Sequence, residues 1–307
     1  MANPLFDKLF APHIGSTATF LILPNGDRIS YSGFLDQTAQ YANVIRDSGL
    51  EVGDRLAVQI EKSPEALAVC AACALNGTVF LPLNTAYALA ELSYFLNDSS
   101  ARLFLCDPKN HAALKTIAQT AGAQILTLGP NGEDSFADAA STKPKTCRIA
   151  QRSSRDLAAL LYTSGTTGRS KGATLSQGNL LSNAEALTEL WQFTAHDTLF
   201  HALPIFHTHG LFFANNVTLS GGGAMMFPPK LDVEKMINGL PETNMSTSNP
   251  YSGERRAGSA GFPLPGVDLK KTDPNTGIVV PQGGIGGIEV RGANVFQGYW
   301  NMPKKNC

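Results

Sequence analysis

Apolar and polar residues alternate in blocks along the first 235 positions, and each block has the length of one strand or one helix. Short apolar runs indicate buried strands, because strands covered on both faces lose the alternation of half-exposed ones. The predicted strands are RLAVQI (55–60), TVFLPL (78–83), ARLFLC (101–106), AQILTL (123–128), LAALLY (157–162), TLFHALPI (198–205) and AMMFP (224–228). Residues 262–292 indicate further strands and turns, with DPNTG (273–277) as a hairpin-type turn.

The segments between the strands predict helices, at about 88–96, 110–120, 178–191, 210–219 and 232–238. The clearest helix is SPEALAVCAACALNG, where Ser63 can cap the first turn, Pro64 suits the first helical position and Gly77 can end the helix. Residues 130–156 are polar and predict a connector. This alternation predicts an α/β fold, a doubly wound parallel sheet with helices on both faces, followed by a β-rich C-terminal segment.

The composition argues against several classes of protein. The chain has 307 residues, 43% hydrophobic and 16% charged, with a formal net charge of −1. It can bury a large core, and it lacks the basic excess typical of nucleic-acid or polybasic membrane partners. The apolar block 66–75 is about half of the ~20 residues that a membrane span needs. Asp7 and Lys8 interrupt the apolar start, so we expect no secretory signal and a soluble, cytoplasmic protein without a membrane span.

The five cysteines do not form the pattern of a disulfide framework: Cys70, Cys73, Cys106, Cys147 and Cys307. Cys70 and Cys73 make a CxxC, a pattern used in redox and zinc sites. It lies inside a helical run, and no second CxxC is present to complete a zinc site. We therefore interpret the pair as small side chains on a packed helix.

The stretch LYTSGTTGRSKGA (161–173) follows the predicted strand LAALLY, at the strand end where open α/β sheets bind ligands. Glycines 165, 168 and 172 can turn the backbone and point N–H groups inward, the hydroxyls add short donors, and Lys171 adds a mobile positive charge. These are features of a phosphate site, although glycine and hydroxyl content alone favours a solvated turn between a strand and a helix. The loop is not a Walker A motif, since Ser170 stands where that pattern needs glycine.

The order of residues in TSGTTGRSKG closely resembles the signature loop of the adenylate-forming (AMP-binding) superfamily. The stretches LPLNTAYALAELSYFLND (81–98), LPIFHTHGLFFANNVTL (203–219), LPGVDLKKTDPNTG (264–277) and GIEVRGANVFQGYWNMP (287–303) resemble blocks of its malonyl-CoA synthetase branch. The resemblance implies an AMP-forming acid–CoA ligase. Malonate or methylmalonate, ATP and coenzyme A would give acyl-CoA, AMP and pyrophosphate through an acyl-adenylate, with Mg²⁺ offsetting charge.

The resemblance also implies roles for particular residues. The loop residues expected to hold the ATP phosphates are Thr163, Ser164, Gly165, Thr166, Thr167, Gly168 and Lys171. His207, in FHTHG, would line the acyl pocket. The pattern HTH by itself favours a hydrogen-bonded histidine at a strand end, and no third ligand nearby completes a metal site. Glu242 and Thr167 are the candidates for Mg²⁺, and Lys171, His207 and Glu242 are the candidates for catalysis. A lone glutamate beside a proline is more often a solvated charge.

The chain departs from the family pattern in two places. The predicted helix 232–238 runs directly into the polar segment 242–261, where the family has further strands and helices, so the chain is expected to be shortened near Pro241. The family's small mobile C-terminal domain has no counterpart before Cys307. We expect an incomplete large domain, with residues 1–241 as the α/β region and 242–307 as its β-rich remainder, and little or no turnover.

Three other interpretations stay open from sequence. The chain could be a non-catalytic remnant that binds a nucleotide or a partner chain, a fragment of another acyl-CoA synthetase, or an artefact of the gene model. An unrelated kinase is disfavoured, because neither a Walker A loop nor the HRD and DFG motifs occur.

Overall fold

The computed structural model describes residues 3–163, 169–229, 247–248, 261–274, 276–281, 284 and 286–302. The strands are β1 Thr19–Ile22, β2 Arg28–Ser30, β3 Arg55–Gln59, β4 Val79–Pro82, β5 Leu103–Cys106, β6 Gln124–Thr127, β7 Leu157–Thr163, β8 Lys171–Ser176, β9 Thr198–Phe200, β10 Ala224–Met226, β11 Thr247–Ser248, β12 Phe262–Pro263, β13 Val267–Thr272 and β14 Gly287–Gly292. The α-helices are α1 Tyr31–Asp47, α2 Pro64–Asn76, α3 Leu89–Ser99, α4 His111–Thr120, α5 Ser135–Ser141, α6 Gln177–Trp191 and α7 Asn215–Gly221.

A six-stranded sheet in the order β6-β5-β3-β4-β7-β8 forms the centre of the α/β region. Strands β3 to β7 in this sheet pair in parallel, and β8 returns antiparallel to β7. Successive side chains of a strand point to opposite faces. Leu103 and Leu105 of β5 accordingly belong to one core, and Phe104 and Cys106 to the other. The predicted doubly wound α/β sheet is confirmed, with an antiparallel edge strand.

Helices cover both faces of this sheet. Helices α3 and α4 contribute Leu92, Phe95 and Leu114 to one core, while α1 and α2 contribute to the other. That second core also contains residues of a four-stranded sheet ordered β2-β1-β10-β9. Helix α2 therefore lies between two sheets, which explains why its sequence is apolar all round. No described helix is long and apolar enough to cross a membrane.

The caps of α2 follow the sequence prediction. The Ser63 hydroxyl accepts a hydrogen bond from the Ala66 N–H, Pro64 is the first helical residue, and Gly77 takes the left-handed conformation at the end. Cys70 and Cys73 lie on this helix as free thiols, and burial raises the pKa of both. The interpretation of CxxC as packing side chains is therefore confirmed.

Three sequence predictions need correction. The strand predicted over 198–205 ends at Phe200, and the predicted helix 210–219 begins as a π-helix, His209–Ala214, that continues into α7. The connector 130–156 contains the short helix α5, whose apolar anchor Phe136 is fully buried. The predicted helix 232–238 lies outside the described residues.

The β-rich end of the chain contains the hairpin β13–β14, paired from Val267–Gly292 to Thr272–Gly287. The ends of the predicted turn are close together, because the Gly277 N–H donates to the Asp273 carbonyl oxygen at 2.8 Å. A small core joins this region to the helices, because Leu264 and Val267 pack with Leu187 of α6 and Val217 of α7.

Candidate active site

The two stems of the TSGTTGRSKG loop are residues 162–163, at the end of β7, and residues 169–171, which lead into β8. Thr163 and Lys171 are register partners in this antiparallel pair, so the loop is a hairpin connection at the carboxyl end of the parallel strands. Thr163 is exposed and Lys171 is half-buried. The structure therefore brings together two predicted phosphate-binding residues, 163 and 171, at the mouth of the loop.

The sequence does not predict the strand β8, because its pattern indicates a loop at Lys171–Gly172 and a helix from about residue 178. The structure also corrects the role of Gly172, whose φ lies outside the left-handed region. A Cβ at this position would lie 2.9 Å from Leu160 Cδ1 and 3.3 Å from Trp300 Cβ. Gly172 therefore permits a close approach between segments rather than a sharp turn.

A distant segment completes the surroundings of β8. The Trp300 N–H donates to the Gly172 carbonyl oxygen at 2.7 Å, and Ala173 forms an antiparallel bridge with Tyr299. The Lys171 ammonium lies 5.2 Å from the centroid of the Tyr299 ring. The GYW stretch near the end of the chain thus lies beside the loop stem, a proximity that sequence separation concealed.

His207 lies on an exposed segment between β9 and the π-helix His209–Ala214. The His207 ring contacts His209: its Nδ1 accepts from the His209 N–H at 3.4 Å and lies 3.1 Å from the His209 Nδ1. The His207 carbonyl oxygen accepts from the Leu211 N–H at 3.0 Å. The two rings stack at 5.0 Å. Partial burial, followed by the neighbouring His207, lowers the pKa of His209.

A half-buried lysine, Lys62, and a buried histidine, His201, lie beside the segment that precedes His207. The Lys62 ammonium donates to the His201 carbonyl oxygen at 2.6 Å and lies 4.4 Å from the centroid of Phe227. Burial lowers the pKa of Lys62 to about 7. The signal for His201 was a histidine inside the apolar run TLFHALPI, whereas Lys62 carried no signal.

His201 connects this pair to the π-helix. Its Nε2 lies 2.6 Å from the Gly210 carbonyl oxygen, and because a carbonyl only accepts, Nε2 carries the hydrogen. Burial first, and then the Lys62 charge, lowers the pKa of His201 to about 4, so the ring is neutral at pH 7. A Cβ on Gly210 would lie 2.1 Å from the Pro204 carbonyl oxygen, so this glycine lets the π-helix pack against the segment.

The remaining predicted residues cannot be placed. Ser164, Gly165, Thr166, Thr167 and Gly168 of the loop, and the metal candidate Glu242, lie outside the described residues. Within the described part of the chain, no group of three or more His, Cys, Asp or Glu side chains is arranged to hold a metal ion.

The sheet is mainly parallel and carries a hairpin loop, flanked by a lysine, at its carboxyl edge. This arrangement is typical of nucleotide-binding α/β proteins. Comparison with known families makes this specific. Residues 13–242 and 233–300 match the model of the AMP-binding enzyme family, and the chain belongs to that family. The two matched segments overlap at 233–242, around the junction that the sequence indicates near Pro241.

Individual relatives are acid–CoA ligases by name. The chain is 26% identical to a malonate–CoA ligase of Arabidopsis thaliana, over 82% of this chain and 55% of that protein. It is 28% identical to a feruloyl-CoA synthase of an Amycolatopsis species, over 91% of this chain and 68% of that protein. The first alignment runs over 337 positions, more than the 307 residues here, so that relative has residues opposite gaps in this chain.

The fold also matches solved structures of this family. The crystal structure of ATP-bound MatB from Rhodopseudomonas palustris superposes with a TM-score of 0.94 at 41% identity, covering 100% of this chain and 73% of that one. The chain therefore spans 55% of the Arabidopsis relative and about three quarters of the MatB chain. Its described part has the adenylate-forming fold.

Proposed function

We propose that this chain is an AMP-forming acid–CoA ligase by descent and that its TSGTTGRSKG loop binds the phosphates of ATP. The observation that carries the proposal is the register pairing of Thr163 with Lys171 across the mouth of a glycine-rich hairpin. The 41% identity to a protein crystallised with ATP supports the same ligand. A carboxylate would attack the α-phosphorus of ATP with loss of pyrophosphate, and the thiol of coenzyme A would then take the acyl group from the adenylate with release of AMP.

Positive charge is what this reaction needs from the chain, because an anionic carboxylate must approach a polyphosphate. Lys171 supplies a mobile ammonium beside the loop, and backbone N–H groups of the loop would supply further donors. Ser164, Gly165, Thr166, Thr167 and Gly168 are our candidates for those contacts. Thr167 and Glu242 are our candidates for holding Mg²⁺, which would neutralise phosphate charge when bound.

For the acid substrate we propose malonate or methylmalonate. Malonate–CoA ligase and MatB are among the relatives. A short dicarboxylate needs polar partners along its length, and the exposed, hydrogen-bonding pair His207–His209 offers a polar wall. A fragment of a different acyl-CoA synthetase is the competing proposal, since the feruloyl-CoA synthase, at 28% identity, is as similar in sequence as the Arabidopsis malonate–CoA ligase, at 26%.

We further propose that the 307-residue chain alone turns over slowly or not at all. The family match breaks into two segments at 233–242, and relatives carry residues opposite gaps in this chain. An active site without a complete wall cannot exclude water or align the reacting groups. A non-catalytic nucleotide-binding remnant would be the outcome.

Calorimetry with ATP and Mg²⁺, paired with an assay for malonyl-CoA, separates these possibilities. We expect weak ATP binding, lost in Lys171→Ala and unchanged in the matched control Lys115→Ala, whose lysine is exposed on α4. Binding without product supports the remnant, and detectable malonyl-CoA would overturn the proposed inactivity. Absence of ATP binding in the wild type, or equal binding by Lys171→Ala, would overturn the role of the loop.

A further inference from the structure

Helix α3 reaches both stems of the candidate nucleotide loop with two side chains on one face. Tyr94 and Asp98 are four residues apart, so they lie on the same side of the helix. Tyr94 contacts the stem that leaves the loop, and Asp98 contacts the strand that enters it. Neither residue belongs to the loop motif, and sequence analysis assigned neither a role.

Asp98 holds the entering stem. Its Oδ2 accepts a hydrogen bond of 2.6 Å from the Tyr162 hydroxyl, one residue before Thr163. Burial raises the pKa of Tyr162, so the hydroxyl keeps the proton that it donates. The Asp98 carbonyl oxygen also accepts from the Trp300 indole N–H at 3.0 Å, and Trp300 is the residue that bonds Gly172 on β8.

Tyr94 holds the leaving stem. Its hydroxyl donates to the Ser170 carbonyl oxygen at 3.0 Å, and the Arg169 guanidinium lies 3.7 Å from the centroid of its ring. Ser170 directly precedes Lys171. Partial burial, and then the Asp98 charge, raises the pKa of Tyr94, so this hydroxyl also stays a donor at neutral pH.

We propose that Tyr94 and Asp98 are positioning residues that brace the nucleotide loop from α3 and set the direction of Lys171. The inference rests on the proposed function, because it links the rigidity of the stems to the binding of ATP. A lysine loses conformational entropy when it becomes fixed on a phosphate. A stem that is fixed beforehand reduces that loss, so the affinity of Lys171 for the phosphates rises.

The test compares Tyr94→Phe and Asp98→Ala with the control Tyr87→Phe. Tyr87 packs on the same Phe95 ring, at 5.0 Å, and its loss removes a hydroxyl outside the brace. Hydrogen exchange of peptides covering 162–173, measured without nucleotide, reports the stems directly. Calorimetry with ATP and Mg²⁺ reports the affinity, and peptides from β3 and β5 serve as the internal reference for global stability.

We expect faster exchange in the stems of both variants, unchanged exchange in β3 and β5, and ATP binding weakened about threefold to tenfold, as for one lost hydrogen bond. Asp98→Asn keeps an acceptor for the Tyr162 hydroxyl, so it should restore slow exchange. Tyr87→Phe should match the wild type. Tyr94→Phe removes only one oxygen, so it carries the test even if Asp98→Ala does not fold.

Stem exchange equal to wild type in Tyr94→Phe would overturn the brace, whether or not ATP binds. Faster exchange with unchanged ATP affinity would overturn the link between the brace and the nucleotide. If the variants exchange faster but the wild-type protein binds no ATP, the proposed function is removed and α3 is left as a structural support alone. Uniformly faster exchange throughout β3 and β5 would indicate a general packing role and overturn the inference.

Discussion

The six-stranded sheet and the β13–β14 hairpin both contain aliphatic residues, yet they bury them very differently. Every residue of β4 and β5 is buried. In β14 five of six residues are exposed, and Ile288 and Val290 keep 73% and 36% of their surface accessible. Strand β5 has a strand on each side and helices over both faces, whereas β14 pairs with β13 alone among the described strands.

The comparison extends to charges. Lys62, beside the carboxyl end of β3, is buried enough that its pKa falls to about 7. On the hairpin, Lys270 pairs with Glu289 and Arg291 with Asp268, all with side chains at least half exposed. The number of covering layers, rather than residue type, sets how strongly a side chain affects stability. Three experiments test this difference.

The largest expected effect is on the core. Phe104→Ala removes a fully buried ring from the centre of the six-stranded sheet and should lower the free energy of unfolding by about 3–5 kcal/mol. Ile288→Ala, on the exposed hairpin, should change it by less than about 0.5 kcal/mol. Urea unfolding followed by circular dichroism measures both. A loss above about 2 kcal/mol for Ile288→Ala would show that the hairpin face is covered in solution, and the comparison would break.

The second effect is a dependence of stability on pH that comes from Lys62. The folded protein loses this proton near pH 7 and the unfolded chain near 10.5, so the unfolded state binds more protons between these values. Stability should therefore rise with pH between about 7 and 10.5 and level off below 7, with a slope of up to about 1.4 kcal/mol per pH unit within that window. Lys62→Met should lose this part of the slope in urea unfolding between pH 7 and 8.5.

Histidine titration provides a second check on the same variant. The Lys62 charge contributes to the low pKa of His201, so Lys62→Met should raise that pKa toward its ordinary value. NMR of the histidine ring protons measures it. An unchanged pH slope together with an unchanged His201 titration would show that Lys62 is solvated.

The smallest effect is expected on the hairpin ion pair. Arg291 donates twice to Asp268, at 2.9 and 3.1 Å, but the two side chains are 87% and 71% exposed. Arg291→Ala should cost less than about 1 kcal/mol in urea unfolding, and the cost should disappear at 1 M salt. Arg152→Ala is the matched contrast, since that side chain is only 10% exposed, and its cost should be larger and persist in salt. Equal costs would contradict the comparison.

Sequence patterns located most of the α/β region. The strands β3 to β6 lie within two residues of the apolar runs that predicted them, and α2 has the predicted cap and end. Local physics decides these features, because a run of apolar residues must be covered and a cap satisfies N–H groups of its own helix. The family followed from ten consecutive residues at the loop.

Other features could not be read locally. Strand β8 has polar residues at Lys171 and Ser176, so its sequence does not indicate a strand. It becomes one by pairing with β7 and with the Trp300 segment. Helix α5 was not predicted within the connector 130–156, because the few apolar residues of this helix show no helical periodicity. The predicted phosphate contacts of 164–168 and the metal role of Glu242 stay predictions.

The sequence by itself determined the α/β class, the polar loop after β7 and the family, because each depends on residues that are adjacent in the chain. Only the tertiary structure decided that Lys171 pairs with Thr163, that Tyr94 and Asp98 contact the two stems, and that the half-buried Lys62 donates to the carbonyl of the buried His201. Those contacts join residues up to some 200 positions apart, as with Asp98 and Trp300. Their energies come from burial and distance, and neither quantity exists until the chain has folded.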